Sequence, residues 1–367
     1  MDTFIRSLQD CVLAAQASKS PIVIHGGNSK SFYGAKSIGE LIDMRGYAGI
    51  IDYQPRELVL TVRAGTPLAE IETLMEREGQ MLPFEPPHFA HVATTGATIG
   101  GTVAAGLSGP RRAYTGAVRD FVLGARIING KGEDLHFGGR VIKNVAGYDV
   151  SRLMVGAMGT LGILLDLSFK VLPKPASEVT LRYEMDEVTA IRRFNEWAGQ
   201  PLPLSATCWH DGVGTLRLSG TSAGVAAAKQ KLGGAEIATN DATDFWRSVR
   251  DHQHAFFEAA HQASKPVWRL SVSATTPALN LTSMLPTAQM IEWGGALRWL
   301  AADINASELR KKIVAVGGHA TLMYTRGNSA GVFHPIEGKL AELNRNLKTA
   351  FDPANILNRG RLDNVSR

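Results

Sequence analysis

The chain has 367 residues, and 39 Lys plus Arg against 34 Asp plus Glu leave a formal charge of +5. Its length exceeds one hydrophobic core and predicts about two domains, while 44% hydrophobic and 20% charged residues exclude a disordered or fibrous chain. The basic excess is spread along the sequence, which suits acidic ligands and gives no nucleic-acid signature.

In chain order, Phe4, Ile5, Leu8, Val12, Leu13 and Ala15 recur at helical spacing and predict a first helix over residues 3 to 17. "PIVI" then reads as a short buried strand, "ELVLTVRAG" as another, and "TPLAEIETLMEREGQ" as a helix opened by Thr66 with Pro67 at its first position. Residues 92 to 110, "VATTGATIGGTVAAGLSGP", carry no charge until the arginines that follow. "FVLGARIINGKGEDLHF" predicts two strands joined at Gly130-Lys131-Gly132, and "TLGILLDLSFKVLPKP" a long strand that stops at prolines. Beyond about residue 175, segments such as "SEVTLRYEM", "AIRRFNEWAG" and "TLRLSG" predict alternating strands and helices of the ferredoxin-like type. The expected class is α+β, with domains at 1–175 and 176–330 and a tail at 331–367 that returns to the first domain. Cys11 and Cys208 cannot form a disulfide framework or a thiolate metal site, and they fit a reducing compartment. No apolar stretch reaches the roughly 20 residues of a membrane span, so the expected location is the cytoplasm, peripheral to the inner membrane face through partners.

Two glycine clusters carry the chemistry. Gly26-Gly27-Asn28-Ser29 follows a strand, and bare backbone amides there can either cradle a phosphate or simply close a turn. The segment after it has no helical period, which rules out a Rossmann fingerprint, and no Gly-Lys-Ser/Thr completes a Walker A loop. The second cluster, Gly96, Gly100, Gly101, Gly106 and Gly109 with Thr94, Thr95 and Thr98, offers amides and hydroxyls without charge. Two such clusters suit a long ligand such as a dinucleotide; close helix packing of small residues is the alternative.

Four blocks, "HGGNSKS", "TTGATIGGTVAAGLSGPRRAYTGAVRDFVLG", "VIKNVAGYDVSRLMVGAMGTLGIL" and "FDPANILNRGRL", resemble the FAD-linked oxidases with a p-cresol methylhydroxylase-type FAD domain, the vanillyl-alcohol oxidase family. Within it the chain is similar to the FAD-binding E subunits of bacterial glycolate oxidases. The resemblance implies a two-subdomain FAD-binding domain, then an α+β cap. It also implies partnership with a homologous flavin-type subunit and an iron–sulfur subunit, and a 2-hydroxy acid substrate. By position it implies that Gly26, Gly27, Asn28 and Ser29 contact the pyrophosphate, with His25 just before them. Thr94, Thr95, Gly96, Ala97, Ile99, Gly100 and Gly101 would line the pyrophosphate and ring system, Ser108, Gly109 and Arg111 the following loop, and Gly159, Thr160, Leu161, Gly162 and Ile163 the strand entry. Asn28 stands where covalently flavinylated relatives place a histidine, which implies non-covalent FAD. Arg359 replaces the proline expected in the tail motif.

No catalytic residue or metal site is assigned. Related D-2-hydroxy acid enzymes carry a His-x-Gly-Asp-Gly-Asn-x-His block, and "WHDGVGTLRL" at 209 to 218 lacks its paired histidines. His252 and His254 are expected on one helix, facing apart. His88 and His91 precede the glycine segment and could approach the flavin, and Arg111, Arg112 and Arg119 form the candidate group for binding a carboxylate or a flavin anion, with solvated loop charges the alternative. Trp293 and "RWL" at 298 to 300 could wall the flavin or pack in a core.

Overall fold

The computed structural model describes residues 2–93, 95–139, 149–281, 288–325 and 331–362. Thr94 and the block at 140–148 therefore lie outside the described residues. The chain forms two compact units. The first comprises the chain up to Leu107, Ala117–Pro173 and the part from Pro335 onward; the second comprises Ser108–Gly116 and Lys174–His334.

In the first unit a helix, Asp2–Ser18, buries Ile5, Leu8, Val12 and Ala15 of the six positions its spacing predicts, while Phe4 is half-buried and Leu13 is exposed. Burial of each large aliphatic side chain contributes about 1.5–3 kcal/mol. It shares a core with strand β1 (Ile22–His25), which pairs in parallel with β2 (Glu40–Asp43). Next come β3 (Ile50–Gln54), β4 (Val59–Arg63), β5 (Gln80–Met81), β6 (Val122–Ile128), β7 (Asp134–Gly138), β8 (Ile163–Lys170) and β9 (Leu172–Pro173). Five of them build an antiparallel sheet in the order β3-β4-β8-β6-β7. Central β8 feeds two cores, because successive side chains point to opposite faces. Ile163 and Leu165 join the first helix, and Leu164 joins the core of Leu68, Ile71, Val103 and Phe169.

The helix after β4 runs Leu68–Arg77, with Pro67 and not Thr66 at its N-cap. The Thr66 hydroxyl donates to Arg63 O at 2.7 Å and accepts from Gly49 N at 2.9 Å, so it is spent on the chain reversal before the helix.

The second unit is an eight-stranded sheet of β10 (Ser177–Glu184), β11 (Leu204–His210), β12 (Val213–Gly220), β13 (Ala235–Glu236), β14 (Val267–Ser271), β15 (Gln289–Glu292), β16 (Leu297–Ala301) and β17 (His319–Tyr324). Its order is β13-β10-β12-β11-β15-β16-β14-β17, with every pairing antiparallel. The first half, with helices Glu187–Ala198 and Ser222–Leu232, has the ferredoxin-like order. The second half repeats it, with helix Ala306–Ala315 before the last strand, and β11 joins β15 at the seam. No internal repeat is visible in the sequence, yet the topology is duplicated. The class is α+β, as expected.

Ser108–Gly116, placed by sequence within 1–175, packs with the second unit: the Arg111 guanidinium pairs with Glu178 at 2.8 Å, and Gly109 O accepts the Trp293 indole N–H at 3.1 Å. His252 and His254 do not share a helix. One helix ends at Arg250 and another starts at Ala255, with His252 at φ +54° between them and His254 capping the second. Among the described residues no helix is long and apolar enough to cross a membrane.

Candidate functional site

Strand β1 ends at His25, and the next residues run against the second glycine cluster. A Cβ on Gly26 would lie 2.3 Å from Thr98 Oγ1, and one on Gly27 would lie 1.6 Å from the Gly96 carbonyl oxygen. Both distances are far inside contact, so only glycine lets the two loops meet. The Thr95 hydroxyl adds a bond to Gly27 O at 2.7 Å. Asn28 then takes φ +57°, a conformation asparagine tolerates better than most side chains. Ser29 and Lys30 turn inward and are buried, with Lys30 Nζ 3.4 Å from Ser29 Oγ and over the Phe89 ring.

Behind these loops sits the short helix Ile99–Ala105, capped by the Thr98 hydroxyl, which accepts from Gly101 N at 3.3 Å. Ile99 and Val103 anchor it in the core, and Gly100 N donates to Ala64 O at 2.8 Å. The third segment, Gly159–Ile163, enters β8. Thr160 Oγ1 donates to Ala157 O at 2.7 Å, while Leu161 and Ile163 are buried.

The tail fastens these pieces. Asn358 Oδ1 accepts from Ile24 N at 2.8 Å, and its Nδ2 donates to Met158 O at 2.6 Å. Arg361 donates to the carbonyls of Ala35, Lys30, Ser31 and Tyr33, gathering the loop between β1 and β2. Lys348 Nζ bonds Thr160 O at 2.7 Å and the buried Asp352 carboxylate at 2.6 Å. Asp352 in turn accepts from Ile356 N and Leu357 N at 3.1 and 2.8 Å. Arg359, in place of the expected proline, leaves this arrangement intact.

Between the loops lies a cavity of about 800 Å³, within the size range of small-molecule sites. His25, Gly26, Gly27, Asn28, Ser29, Gly100, Gly101, Gly159 and Gly162 line it, all of them residues the sequence singles out. Thr95 and Gly96 buttress the cradle from behind, whereas Ala97, Ile99, Leu161 and Ile163 are core residues. Sequence reasoning missed Lys36, Met158, Asn358 and Arg361, which also line the cavity. The tail motif was the one signal that could have found the last two.

The lining includes Lys30, Lys36 and Arg361 and no carboxylate among the described residues. Burial and then the Arg361 charge push the His25 imidazole below its usual range, which fits a site of positive potential. Bare amides in contact with a cation-rich cavity suit an anionic bridge such as a diphosphate. The residues present therefore fit a dinucleotide.

The other candidates have partners within their own units. Ser108, Gly109 and Arg111 belong to the second unit, and Arg111 is paired with Glu178. His88 Nε2 lies 3.0 Å from Glu72, and Trp299 donates to the buried Glu292 carboxylate at 2.7 Å within the second unit's packing. Arg298 is buried against the carbonyls of Gly295 and Pro277. Among the described residues no His, Cys, Asp or Glu group is arranged to hold a metal ion.

A family model for an FAD binding domain matches residues 5–138. The chain is 44% identical over 359 residues to the glycolate oxidase subunit GlcE of Escherichia coli strain K12, covering 98% of this chain and 97% of that one. It is 33% identical over 132 residues to the glycolate oxidase subunit GlcD of Bacillus subtilis strain 168, covering 36% and 27% of the two. It is 31% identical over 166 residues to a D-lactate dehydrogenase of Anaerostipes hadrus, of which it spans 34%. Among solved structures an alkyldihydroxyacetonephosphate synthase superposes with a TM-score of 0.65 at 14% identity, covering 96% of this chain and 75% of that one, a likeness of fold alone.

Proposed function

This chain belongs to the family of the glycolate oxidase subunit GlcE and carries an FAD binding domain, and on that premise we propose that it is the FAD-binding subunit of a heteromeric glycolate oxidase. The complex would oxidise glycolate to glyoxylate and pass the two electrons to an iron–sulfur subunit, alongside a second flavin-type subunit. One observation carries the reading: a backbone cradle too tight for any Cβ meets Lys30, Lys36 and Arg361 in one cavity. In this reading Gly26–Ser29, Thr98, Gly100, Gly101 and Lys30 hold the diphosphate, and Gly159–Ile163 presents backbone groups to the ring system. Bound FAD supplies the two-electron acceptor chemistry. Asn28, an amide where relatives attach flavin through histidine, makes the binding non-covalent. Acid precipitation of the purified chain should then release all the flavin to the supernatant; flavin retained in the pellet would contradict this.

The same reading has this chain hold the flavin without supplying the base that takes the hydroxyl proton. The segment at 209 to 218 forms the β11–β12 hairpin, and its polar side chains serve the fold: Trp209 Nε1 donates to Met185 O at 2.8 Å, and His210 Nδ1 lies 2.9 Å from Gln289 O. Anaerobic glycolate added to the isolated, flavin-loaded chain should leave the flavin oxidised, and addition of the partner subunits should bleach it. Bleaching in the isolated chain would show that it carries the base itself. Steady turnover without partners would favour a stand-alone oxidase.

A further inference from the structure

His25 closes β1 immediately before Gly26 and lines the cavity at the mouth of the glycine cradle, half-buried. Among the described lining residues it is the one side chain whose charge changes near neutral pH. Its cross-strand partner in the parallel β1–β2 pair is Asp43, a carboxylate that would ordinarily favour an imidazolium. That carboxylate is already matched. Arg45 Nε lies 2.9 Å from both Asp43 oxygens, Arg45 Nη2 bonds Oδ2, and the Arg45 backbone N–H donates to Oδ1 at 3.0 Å. From the tail comes Arg361, whose guanidinium rests on the carbonyls of Ala35, Lys30, Ser31 and Tyr33, acceptors that bring no counter-charge.

Lys30 and Lys36 share the cavity wall with His25, so the charged groups around the ring are Asp43 on one side of the balance and Arg45, Arg361, Lys30 and Lys36 on the other. Burial first, and then Arg361, favour the neutral imidazole, with Asp43 opposing and Arg45 reinforcing the fall. A diphosphate in the same cavity reverses this balance. Its anionic oxygens offset the lysines and Arg361, and each N–H of a protonated ring finds an acceptor. Binding and protonation are then linked, and whatever the anion does for the charged ring the charged ring does equally for the anion.

We propose that His25 couples FAD binding to proton uptake: its imidazole is neutral in the free chain, takes a proton from solvent as the diphosphate binds, and so holds the cofactor more tightly in acid. This rests on the FAD reading of the cavity and adds to it a dependence on pH. Affinity is flat in alkali, climbs as pH falls through the higher value of the loaded site, and levels off below the lower value of the free one. The test is titration of the full-length, deflavinated chain with FAD at about pH 8 and about pH 6, the range in which a histidine changes charge. The wild-type dissociation constant should be about five-fold smaller at the lower pH, since each unit of pKa displacement is worth ten-fold. Calorimetry in buffers of different ionisation enthalpy should show the accompanying proton uptake. His25→Gln, neutral throughout, should bind equally at both values and take up no proton. His25→Arg, charged throughout, should bind in alkali about as tightly as the wild type does in acid. Melting temperature reports on folding at each pH, and should His25→Gln not fold, His25→Arg and the wild-type proton uptake decide. A wild-type constant indifferent to pH, binding without proton uptake, or a His25→Gln protein with the wild-type slope would overturn the inference. A chain that binds no FAD at either pH would instead sink the flavin reading, so the two failures are distinguishable.

Discussion

Asn358 Oδ1 accepts the Ile24 amide at 2.8 Å across 334 positions of sequence, and the same side chain donates from Nδ2 to Met158 O at 2.6 Å. One amide thus sets the distance between the strand that enters the first glycine loop and the loop that holds Gly159. Asn358→Leu leaves a donor and an acceptor without partners at a cost of about 1–3 kcal/mol each. The expected result is FAD affinity weaker by roughly ten-fold in a fluorescence titration. An unchanged dissociation constant would remove Asn358 from the positioning of the cavity.

Gly27→Ala should abolish flavin retention through gel filtration, because its Cβ would overlap the Gly96 carbonyl at 1.6 Å. Gly139→Ala is the control: nothing lies within 4 Å of a Cβ there, and its flavin content should match the wild type. A yellow, stoichiometrically loaded Gly27→Ala protein would contradict the close approach of the two loops.

Lys348 and Asp352 form a largely buried pair that bonds Thr160 O and the Ile356 and Leu357 amides. Burial lowers the Lys348 pKa, and the Asp352 carboxylate opposes that fall. Removing one partner strands the other charge, so Lys348→Met should cost about 3 kcal/mol and lower the melting temperature. The double variant Lys348→Met, Asp352→Leu should be less unstable than the sum of the two single changes. Strict additivity in a thermal-melt cycle would show that the pair is not coupled.

His254 gives a pH prediction. Burial, and then the charges of His210 and Arg182, push its imidazole down to about 4, while its Nδ1 accepts from Phe256 N at 3.2 Å and so requires the neutral ring. Between the ordinary value near 6.5 and about 4 the unfolded chain binds a proton that the folded chain refuses, so stability falls as pH falls through that window and levels off below it. The loss is on the order of 3 kcal/mol. His254→Asn keeps a capping acceptor without the titration. Its melting temperature should decline less than that of the wild type between pH 6.5 and 4; parallel curves would assign the acid sensitivity to other groups.

Much of this site is readable in the sequence because its parts are local. Gly26, Gly27, Gly100 and Gly101 announce close backbone approach by the absence of side chains, and the elements around them follow period and turn chemistry. The rest depends on contacts between distant residues. Nothing near Asn358 or Arg361 indicates that their partners are Ile24, Met158 and the carbonyls of residues 30 to 35. Nothing near Arg111 in the sequence shows that its guanidinium meets Glu178 of β10. The duplicated sheet order is invisible for the same reason: strand pairing is long-range, and the two halves share topology without sharing letters.

The cradle's keystone is made last. A ribosome delivers Gly26 and Gly27 long before Asn358 and Arg361, so the coenzyme has no finished berth until those two residues have emerged. Loading therefore waits on them, and a stop anywhere before residue 358 should yield a colourless chain even though the whole glycine framework has already been made.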